Sequence, residues 1–396
     1  QRNWAALHNK MDNLYRNDNI NLPVLQPWVC VSKTSSNRLR FKRNPYFHRI
    51  DPSGQQLPYV DEFVFGIASN KLISAKSGTG EVDLQARYLR FDDYTFLKKG
   101  EDRSPYSTRL WPTAKGSHLA LFPNLNHKKA ELRSIIRDVR FRRALSMAVN
   151  RYEINQVIYY GLAIEGNNTV LPESPLYKPY YRSKWAKLDL TAANQLLDDM
   201  GLTQRDNRGI RLMPDGNPLN LIVETAGEST EQTDILELIH DSWLKIGVKI
   251  YSKPSQRNVF RNRIFSGETS MSIWSGIENG LATANSSPAE FAPTTQQLLQ
   301  WPKWGQNFET EGKAGQPVDD PEAQELLELY KQWRVEPLFK KKEKIWAKIL
   351  AINTEQVYSI GLIARVLQPV VVSNKLKNVP LKAIYNWNPG AVSYTH

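Results

Sequence analysis

Tryptophan residues beside small residues are the part of this sequence best suited to binding a small organic molecule. Trp274 lies in Ile273-Trp274-Ser275-Gly276, while Trp301 and Trp304 lie in Trp301-Pro302-Lys303-Trp304-Gly305. A flat indole ring offers a large contact area at a small cost in side-chain entropy, and small neighbours let a ligand approach the backbone. The pattern therefore predicts a pocket in which these rings face a bound solute. Packing in the core is the alternative for each of the three.

Residues that could catalyse a reaction or bind a metal ion do not form a recognisable motif. The six histidines are scattered without metal-ligand spacing, and Cys30 is the single cysteine. The sequence contains no phosphate-binding loop, no dinucleotide-binding glycine motif before a helix and no nucleophile elbow. We therefore predict no catalytic residue, no metal site and no cofactor.

Carboxylate pairs keep one enzymatic alternative open. Asp92-Asp93, Asp198-Asp199 and Asp319-Asp320 are each adjacent in sequence. Neighbouring side chains on a strand or a helix point apart, so none of these pairs forms an acid/base couple by itself. Two carboxylates from distant segments could still form a glycosidase site. A carbohydrate-active enzyme with a distributed carboxylate pair is therefore the alternative to a solute binder.

The elements that must position these residues are clearest in the middle of the chain. A helical pair is predicted over residues 138–161, with Asp138 and Asn150 as the two N-caps. Residues 219–251 have the pattern of a strand, an amphipathic helix and a second strand, which predicts a β–α–β unit with a parallel strand pair. The sequence is therefore of the mixed α/β class.

The rest of the chain is less regular. Short strands are predicted at residues 38–41 and 62–67, with a turn-rich stretch between them. Residues 282–321 are rich in Pro, Gly, Ser, Thr and Asn and still contain tryptophan, which is typical of a packed functional loop. The most visible change of pattern, near residues 136–138, is the predicted seam between lobes.

The size and charge of the chain limit the classes of protein that it fits. Its 396 residues exceed what one ordinary hydrophobic core organises, so two or more lobes are expected. The mean hydropathy of −0.51 and the absence of a long apolar run argue against an integral membrane protein. The net charge is +12, but the basic residues are dispersed and no nucleic-acid recognition motif occurs. We therefore predict no nucleic-acid partner.

Short segments spread over nearly the whole chain form an ordered series. They are Leu22-Pro23-Val24-Leu25-Gln26-Pro27-Trp28, Asn44-Pro45-Tyr46-Phe47, Gln56-Leu57-Pro58-Tyr59-Val60-Asp61-Glu62, Ser77-Gly78-Thr79-Gly80-Glu81-Val82-Asp83, residues 138–151, Met271-Ser272-Ile273-Trp274, Ser373-Asn374 and Asn378-Val379-Pro380. In type and order they resemble segments of the family 5 extracellular solute-binding proteins of bacteria, the dipeptide- and oligopeptide-binding class. Each segment alone is a weak signal, whereas the ordered series is specific. The Trp301/Trp304 segment and the turn at residues 212–219 resemble a larger branch that includes opine, oligosaccharide and peptide binders.

The resemblance implies a periplasmic binding protein-like α/β fold, with two α/β lobes joined by a hinge (class II, or cluster C). Residues 1–137 would be the remainder of lobe one, residues 138–368 the ligand-gripping lobe two, and residues 369–396 a C-terminal return toward lobe one. The first strands of lobe one, an accessory domain and an export signal normally lie upstream of the point that corresponds to Gln1. The N-terminal part of lobe one is therefore expected to be absent, as a missing segment or a separate chain.

The function implied by the resemblance is that of the extracytoplasmic solute-binding component of an ABC importer, not of an enzyme. Such a protein captures a small organic solute, here a peptide, an opine or an oligosaccharide, in the cleft between its lobes. The solute contacts both lobes only when the hinge is closed, so binding shifts the population toward the closed state. ABC permease subunits in the inner membrane are the implied partners, and the implied location is periplasmic or extracytoplasmic and membrane-associated.

The resemblance also implies which residues of the first lobe face the cleft. Gln85 and Arg87 follow the Glu81-Val82-Asp83 segment, after which the family's first lobe presents side chains to the ligand. Arg263, ahead of the turn at Gly267, is a further candidate. Arg87 or Arg263 could clamp a carboxylate with two parallel hydrogen bonds. A surface position without a ligand is the alternative for both arginines.

The second-lobe candidates follow a predicted strand. Trp274, Ser275 and Gly276, and then Glu278 and Asn279, match the family segment that contributes to the cleft. Glu278 could receive an ammonium group, or it could be an exposed loop glutamate. With Gln85, Arg87, Arg263, Trp301 and Trp304, these residues make up the predicted ligand-binding set.

Overall fold

The computed structural model of the chain describes residues 3–11, 19–32 and 36–386. The chain folds into two compact units, residues 1–81 and residues 82–396. All residues of the predicted ligand-binding set lie in the second unit.

Both units contain helices and strands. The strands are β1 Trp28–Cys30, β2 Arg38–Arg43, β3 Glu62–Gly66, β4 Leu84–Gln85, β5 Tyr106–Pro112, β6 Leu119–Pro123, β7 Ile164–Glu165, β8 Asn220–Thr225, β9 Lys249–Pro254, β10 Met271–Trp274, β11 Ile360–Ala364 and β12 Leu367–Ser373. The helices are α1 Trp4–Met11, α2 Asn70–Gly78, α3 Tyr94–Gly100, α4 Ala130–Arg137, α5 Val139–Met147, α6 Arg151–Tyr159, α7 Pro179–Ser183, α8 Leu190–Asp199, α9 Thr230–Leu244, α10 Arg257–Ser266, α11 Pro302–Glu309, α12 Pro321–Val335 and α13 Phe339–Gln356. Short 3₁₀ helices cover Phe91–Asp93 and Ala289–Phe291.

The first unit contains an antiparallel sheet in the order β1-β2-β3. Its strands β2 and β3 confirm the strands predicted at residues 38–41 and 62–67. In the turn-rich stretch between them, Asp51 Oδ1 accepts hydrogen bonds from the N–H groups of Ser53 and Gln55, both at 2.8 Å. The Asp51 carboxylate thus accepts hydrogen bonds from two backbone N–H groups in the turn where the chain reverses direction.

The second unit is built around a six-stranded sheet in the order β7-β11-β6-β10-β8-β9. β10, β8 and β9 are parallel neighbours, whereas β6 and β11 run antiparallel to the strands beside them. Because β6 precedes the predicted lobe boundary at residues 137–138, this sheet takes strands from both sides of that boundary. The lobe boundaries stay a prediction.

The predicted β–α–β unit is confirmed. β8 and β9 form a parallel pair in which Leu221 lies opposite Ile250, and α9 makes the connection between them. The face of α9 that carries Ile235, Ile239 and Trp243 is buried against the sheet, as its apolar spacing requires.

The predicted helical pair is also confirmed, together with its caps. The side chain of Asp138 accepts a hydrogen bond from the N–H of Arg140 at 2.8 Å, and that of Asn150 accepts one from the N–H of Glu153 at 3.2 Å. The N–H groups in the first turn of a helix have no carbonyl acceptor within the helix, and these two side chains supply one. The second helix, α6, is followed by Gly161, which has the positive φ of 72° that glycine adopts readily.

A second sheet of this unit, in the order β4-β12-β5, is antiparallel. The chain passes between the two sheets twice. Residues 113–118 lead from β5 to β6, and residues 365–366 lead from β11 back to β12. The two passages are hydrogen-bonded to each other, since the N–H of Thr113 donates to the carbonyl oxygen of Val366 at 3.0 Å.

The hydrophobic core of the second unit has two large clusters. One packs α5, α6, α8 and α9 onto the six-stranded sheet, and the other joins Trp301, Trp304 and Trp346 to the apolar faces of α12 and α13. Within the described ranges, no helix is both long enough and apolar enough to span a bilayer.

Candidate functional site

A cavity of about 340 Å³ lies beside the carboxyl end of β10. Its walls come from residues 167–169, 274–278, 290–300 and 353–359. The carboxyl ends of parallel strands are where open α/β sheets bind ligands, and this volume is within the range of small-molecule pockets. The predicted residues Trp274, Ser275, Gly276 and Glu278 are all part of the lining, so this cavity is the candidate site.

Trp274 is the last residue of β10 and is half-buried at the cavity wall. Its ring stacks on Phe260, with 5.7 Å between the centroids. The guanidinium carbons of Arg257 and Arg261 lie 5.4 and 5.3 Å from the Trp274 ring centroid. Phe260 and the two cations of α10 therefore hold the indole in place, and its remaining surface faces the cavity.

Polar contacts organise the loop after β10. The ammonium of Lys115 donates to Ser275 Oγ at 2.5 Å and lies 3.6 Å from Glu278 Oε1. The Ser275 hydroxyl in turn donates to Glu278 Oε1 at 3.1 Å. Because Lys115 belongs to the first passage between the sheets, these contacts tie that passage to the cavity rim.

Gly276 is small because the protein itself occupies the space around it. A Cβ at this position would lie 2.4 Å from Asn168 Oδ1 and 2.6 Å from the carbonyl oxygen of Ser117. The same Asn168 oxygen accepts a hydrogen bond from the N–H of Ile277 at 2.9 Å. The loop is thereby held tightly against residues 117 and 168.

Glu290, in the 3₁₀ helix Ala289–Phe291, places a second carboxyl group at the cavity. Burial raises the pKa of Glu290 to about 7, with a contribution from the negative charge of Glu278. The N–H of Glu278 donates to Oε1 and Oε2 of Glu290, at 3.1 and 3.2 Å. These hydrogen bonds and the positive charge of Lys115 act to lower the pKa of Glu290, but they do not cancel the effect of burial.

Several buried oxygens in the cavity wall have no hydrogen-bond partner among the residues that the structure describes. They are Asn167 Oδ1, Thr169 Oγ1, Glu278 Oε2 and Gln300 Oε1. Asn167 uses both hydrogens of its amide on carbonyl oxygens, those of Tyr181 and Lys184, so its oxygen must face away from them. Each of these oxygens has almost no accessible surface, so leaving it unpaired costs the folded state free energy.

Gln85 lies on the smaller sheet and Arg87 lies in the turn that follows β4, both outside the lining of the cavity. Gln85 pairs with Val371 of β12, and the Arg87 guanidinium lies 5.0 Å from the Tyr88 ring centroid. Burial raises the pKa of Tyr385, and Arg87 and Glu278 act on that pKa in opposite directions. The charges of Arg87 and of Glu278, in the loop after β10, therefore both act on this tyrosine.

Arg263 and Asn279 are not part of the cavity lining. Arg263 forms a two-pronged ion pair with the buried Glu224 of β8, at 2.8 Å for each prong, and a further pair with Glu268 at 2.9 Å. The guanidinium of Arg263, which was predicted to bind a ligand carboxylate, thus already binds carboxylates of the protein. Asn279 Oδ1 accepts a hydrogen bond from the N–H of Leu281 at 3.1 Å, which shapes the loop.

The structure does not bring Trp301 and Trp304 to this cavity, and their predicted role in stacking on a solute is corrected here. Both side chains are fully buried, and the Trp301 ring packs edge-on against Tyr358 at 4.8 Å. Trp304 lies in the first turn of α11 rather than in a loop, and its indole N–H donates to Asp319 at 3.1 Å. Trp304 also borders a separate groove of about 530 Å³ between α11 and α12. Their large apolar area is used for packing because the segment is folded into the core.

A buried polar cluster near the start of α9 lies outside the cavity. The Tyr159 hydroxyl donates to Glu231 Oε1 at 2.6 Å, and His118 Nε2 lies 3.3 Å from Glu231 Oε2. Burial acts to raise the pKa of Glu231, but His118 and the Tyr159 hydroxyl together lower it to about 2. Next to it, Arg90 hydrogen-bonds Thr230 of α9. In the described ranges, no group of His, Cys, Asp and Glu side chains is arranged to hold a metal ion.

Sequence reasoning missed the polar wall opposite Trp274. Asn167, Asn168 and Thr169 follow the two-residue strand β7, and Glu290 and Gln300 lie in the irregular region that the sequence marked as a functional loop. The run of short polar residues at 167–169 was the available signal. Its pairing with residues 274–278 depends on long-range packing, which no local pattern shows.

A family model described as bacterial extracellular solute-binding proteins, family 5 (middle region), matches residues 4–297. The chain belongs to this family. The resemblance drawn from the ordered segments is thereby confirmed.

Curated relatives of this family 5 chain include two that are named as binding proteins. The chain is 21% identical, over 97% of its length, to the periplasmic alpha-galactoside-binding protein of Rhizobium meliloti (strain 1021), and covers 56% of that protein. It is 27% identical over 58% of its length to a probable ABC transporter-binding protein of Deinococcus radiodurans, of which it covers 39%. The chain thus spans about half the length, or less, of these relatives. They are named as binding proteins, not enzymes.

Solved structures share the fold of the family 5 chain. An oligopeptide-binding protein OppA matches 99% of this chain and 65% of its own, with a TM-score of 0.65 and 27% identity. The periplasmic binding protein MelB of Agrobacterium fabrum C58, in complex with stachyose, matches 92% of this chain and 55% of its own, with a TM-score of 0.70 and 18% identity. The predicted α/β fold of the periplasmic-binding-protein type is therefore confirmed.

Proposed function

We propose that this family 5 chain is part of the extracytoplasmic solute-binding component of an ABC importer. It captures a small organic solute, a peptide, an opine or an oligosaccharide, in a cleft that closes at a hinge. The observation that carries the proposal is a cavity whose rim residue Glu278 contacts both the first passage between the two sheets and the segment that follows β12. Lys115 of the first passage lies 3.6 Å from its carboxylate, and Asn386, beyond β12, donates to its backbone oxygen at 3.2 Å.

The two passages between the sheets are the elements that would bend on closure. Arg365 has a positive φ of 60°, which is uncommon for a residue with a side chain, and its guanidinium pairs with Glu173 at 2.8 Å. A rotation about residues 113–118 and 365–366 would change the distance between Arg87, in the turn after β4 of the smaller sheet, and the loop after β10. Solute contacts made on both sides of the cleft would then favour the closed state.

Solute binding can be measured directly on the full-length protein. A solute at about 100 times its Kd adds roughly 2.7 kcal/mol to the free energy of unfolding, which raises the unfolding temperature. We expect one class among peptides, opines and oligosaccharides to produce this increase, and fluorophores placed on the two sheets to report closure at the same concentration. Absence of stabilisation by all three classes would contradict the proposal.

The proposed location is periplasmic or extracytoplasmic at the membrane, and the proposed partners are the permease subunits of the importer. The relative from Rhizobium meliloti is named a periplasmic protein, and the relative from Deinococcus radiodurans is named for an ABC transporter. Cell fractionation and cross-linking to the permease in the presence of solute test both statements. Recovery in the cytosol would contradict the proposed location.

One observation favours a second candidate, a carbohydrate-active enzyme. Glu278 and Glu290 both line the cavity, and a pair of carboxyl groups of which one has a raised pKa is the arrangement that glycosidases use. Both oxygens of Glu290 accept the same backbone N–H, however, which favours a binding role. Release of reducing sugar from oligosaccharides, abolished by both Glu278→Gln and Glu290→Gln, would establish the enzyme.

A further inference from the structure

The turn between α12 and α13 exposes three apolar side chains. Val335 is the last residue of α12, Leu338 lies in the connection, and Phe339 is the first residue of α13. Their exposed fractions are 82%, 54% and 49%, respectively. Single exposed apolar residues are ordinary, whereas a group of them at one turn is typical of a contact surface. We call residues 335–339 the hairpin tip.

Lysines cover one face of α13 next to the hairpin tip. Lys340, Lys344 and Lys348 are spaced four residues apart, so they lie on the same side of the helix, and we call them the lysine face. All three are exposed, and none has an ion-pair partner among the residues that the structure describes. The opposite side of α13, which carries Trp346 and Ile349, is buried in the core. The lysine face is therefore directed at solvent.

The stability of the fold does not account for these lysines. The N-terminal end of a helix has a partial positive charge, and the first turn of α13 contains no acidic residue that would balance it. Lys340 lies in that first turn, and like charges four residues apart on a helix repel each other. The placement of the lysines thus costs the folded state free energy.

The surroundings of the hairpin tip are positively charged. Residues 331–348 contain seven basic and two acidic side chains, an excess of five positive charges. The loop of residues 284–288, whose Ala284 carbonyl oxygen accepts a hydrogen bond from the Trp333 indole N–H at 2.7 Å, has no charged side chain. An apolar turn beside a basic helix face is the combination that binds to anionic membrane surfaces.

We propose that the hairpin tip and the lysine face form a docking surface for an anionic lipid bilayer. The lysines pair with the phosphate groups of the lipids, and the tip reaches the apolar layer just below them. A fluid bilayer adapts to the shape of the tip, whereas a protein partner would need a matching acidic surface. The inference goes beyond the proposed solute-binding function and does not depend on which solute the cavity binds.

The test uses vesicles that contain lipid alone, so no permease can contribute. Co-sedimentation of the purified full-length protein is measured with vesicles of phosphatidylcholine and with vesicles of phosphatidylcholine and phosphatidylglycerol in equal parts. The lysine-face variant is Lys340→Gln/Lys344→Gln/Lys348→Gln. Unfolding temperatures without lipid are measured alongside.

Matched controls change the same residue types elsewhere in the second unit. Lys187→Gln/Lys253→Gln/Lys313→Gln removes three exposed lysines that lie outside α12 and α13.

A tip variant, Val335→Ser/Leu338→Ser, removes apolar area without changing the charge. It is compared with Val259→Ser/Leu381→Ser, two positions that are 47% and 78% exposed.

We expect the wild type to bind the anionic vesicles and not the neutral ones, and to bind less tightly as the salt concentration rises. The lysine-face variant should weaken the binding on the order of a hundredfold, whereas its control should weaken it by about twofold at most. The tip variant should weaken it about tenfold, and its control should not. The lysine-face variant should not unfold at a lower temperature than the wild type, because it relieves repulsion along α13.

Four outcomes would overturn the inference. Equal binding to both kinds of vesicle, or binding to neither, would refute the lipid docking surface and leave the solute-binding function standing. Equal weakening in the lysine-face variant and its control would show that only the net charge matters. A lower unfolding temperature in the lysine-face variant would show that these lysines act through the fold. Loss of cross-linking to the permease in that variant, without vesicle binding by the wild type, would assign the surface to a protein partner.

Discussion

Replacing Glu290 by glutamine should change how the stability of the protein depends on pH. The pKa of Glu290 is raised from its ordinary value of 4.5 to about 7 by burial and by Glu278. The folded state therefore keeps a proton that the unfolded state releases as the pH rises through this interval. The free energy of unfolding of the wild type falls between pH 4.5 and about pH 7 because of this group, and below pH 4.5 the group has no effect.

The size of the effect follows from the shift. A difference of about 2.5 pH units at 1.36 kcal/mol per unit gives roughly 3 kcal/mol above pH 7. Glu290→Gln keeps an oxygen that accepts the N–H of Glu278 and cannot ionise. We expect the variant to gain about 3 kcal/mol relative to the wild type as the pH rises from 4.5 to 8, whatever their difference at pH 4.5.

Urea unfolding at several pH values between 4.5 and 8, followed by tryptophan fluorescence, measures this difference. Glu325→Gln, which removes an exposed carboxylate on α12, controls for the loss of one negative charge. A stability difference between Glu290→Gln and the wild type that stays constant over this pH range would refute the reasoning. A difference that falls as the pH rises would mean that folding lowers the pKa of Glu290 instead of raising it.

The tryptophans and a helix cap give three further predictions. Trp274→Ala should weaken solute binding while costing less stability than Trp301→Ala, because Trp274 is only half-buried; calorimetry and urea unfolding of both variants check this. Trp301→Ala should cost roughly 3–5 kcal/mol of unfolding free energy and leave the Kd for the solute unchanged in the folded fraction. Asp189→Ala removes the side chain that accepts the N–H of Ala192 at the start of α8 and should cost about 1 kcal/mol, measured by the same urea titration. An unchanged affinity for the solute in Trp274→Ala would show that this residue is not part of the site. An unchanged free energy of unfolding in Trp301→Ala would contradict the burial of Trp301. The same result in Asp189→Ala would show that the cap does not stabilise α8.

Elements with a strong local pattern could be predicted from the sequence. The β–α–β unit around α9 and the caps at Asp138 and Asn150 follow from periodicity and short-range hydrogen bonds, which a sequence displays directly. The place of β6 could not be predicted in this way. Its partners β10 and β11 come from far along the chain, and the choice between them depends on tertiary packing.

The candidate site could be predicted only in part. The loop after β10 was found from Trp274 and its small neighbours, and four of its predicted residues line the cavity. The same signal pointed to Trp301 and Trp304, which pack in the core, because an aromatic residue beside glycine has the same local pattern in either role. Arg263 lies outside the cavity lining for a related reason: its partner Glu224 lies on another element, and the sequence does not show that this ion pair forms.

The return of the chain through β11 and β12 affects how the protein must be made. β6 is buried along its whole length between β10 and β11, and the Ser117 hydroxyl at its start donates to the carbonyl oxygen of Ile363, 246 residues later. A ribosome that has synthesised the chain only as far as residue 300 has produced neither β11 nor β12, so both sheets of the second unit are still incomplete. The two sheets therefore cannot be completed until β11 and β12 have been synthesised, and until then the apolar strand β6 depends on chaperones or on delayed folding to avoid aggregation.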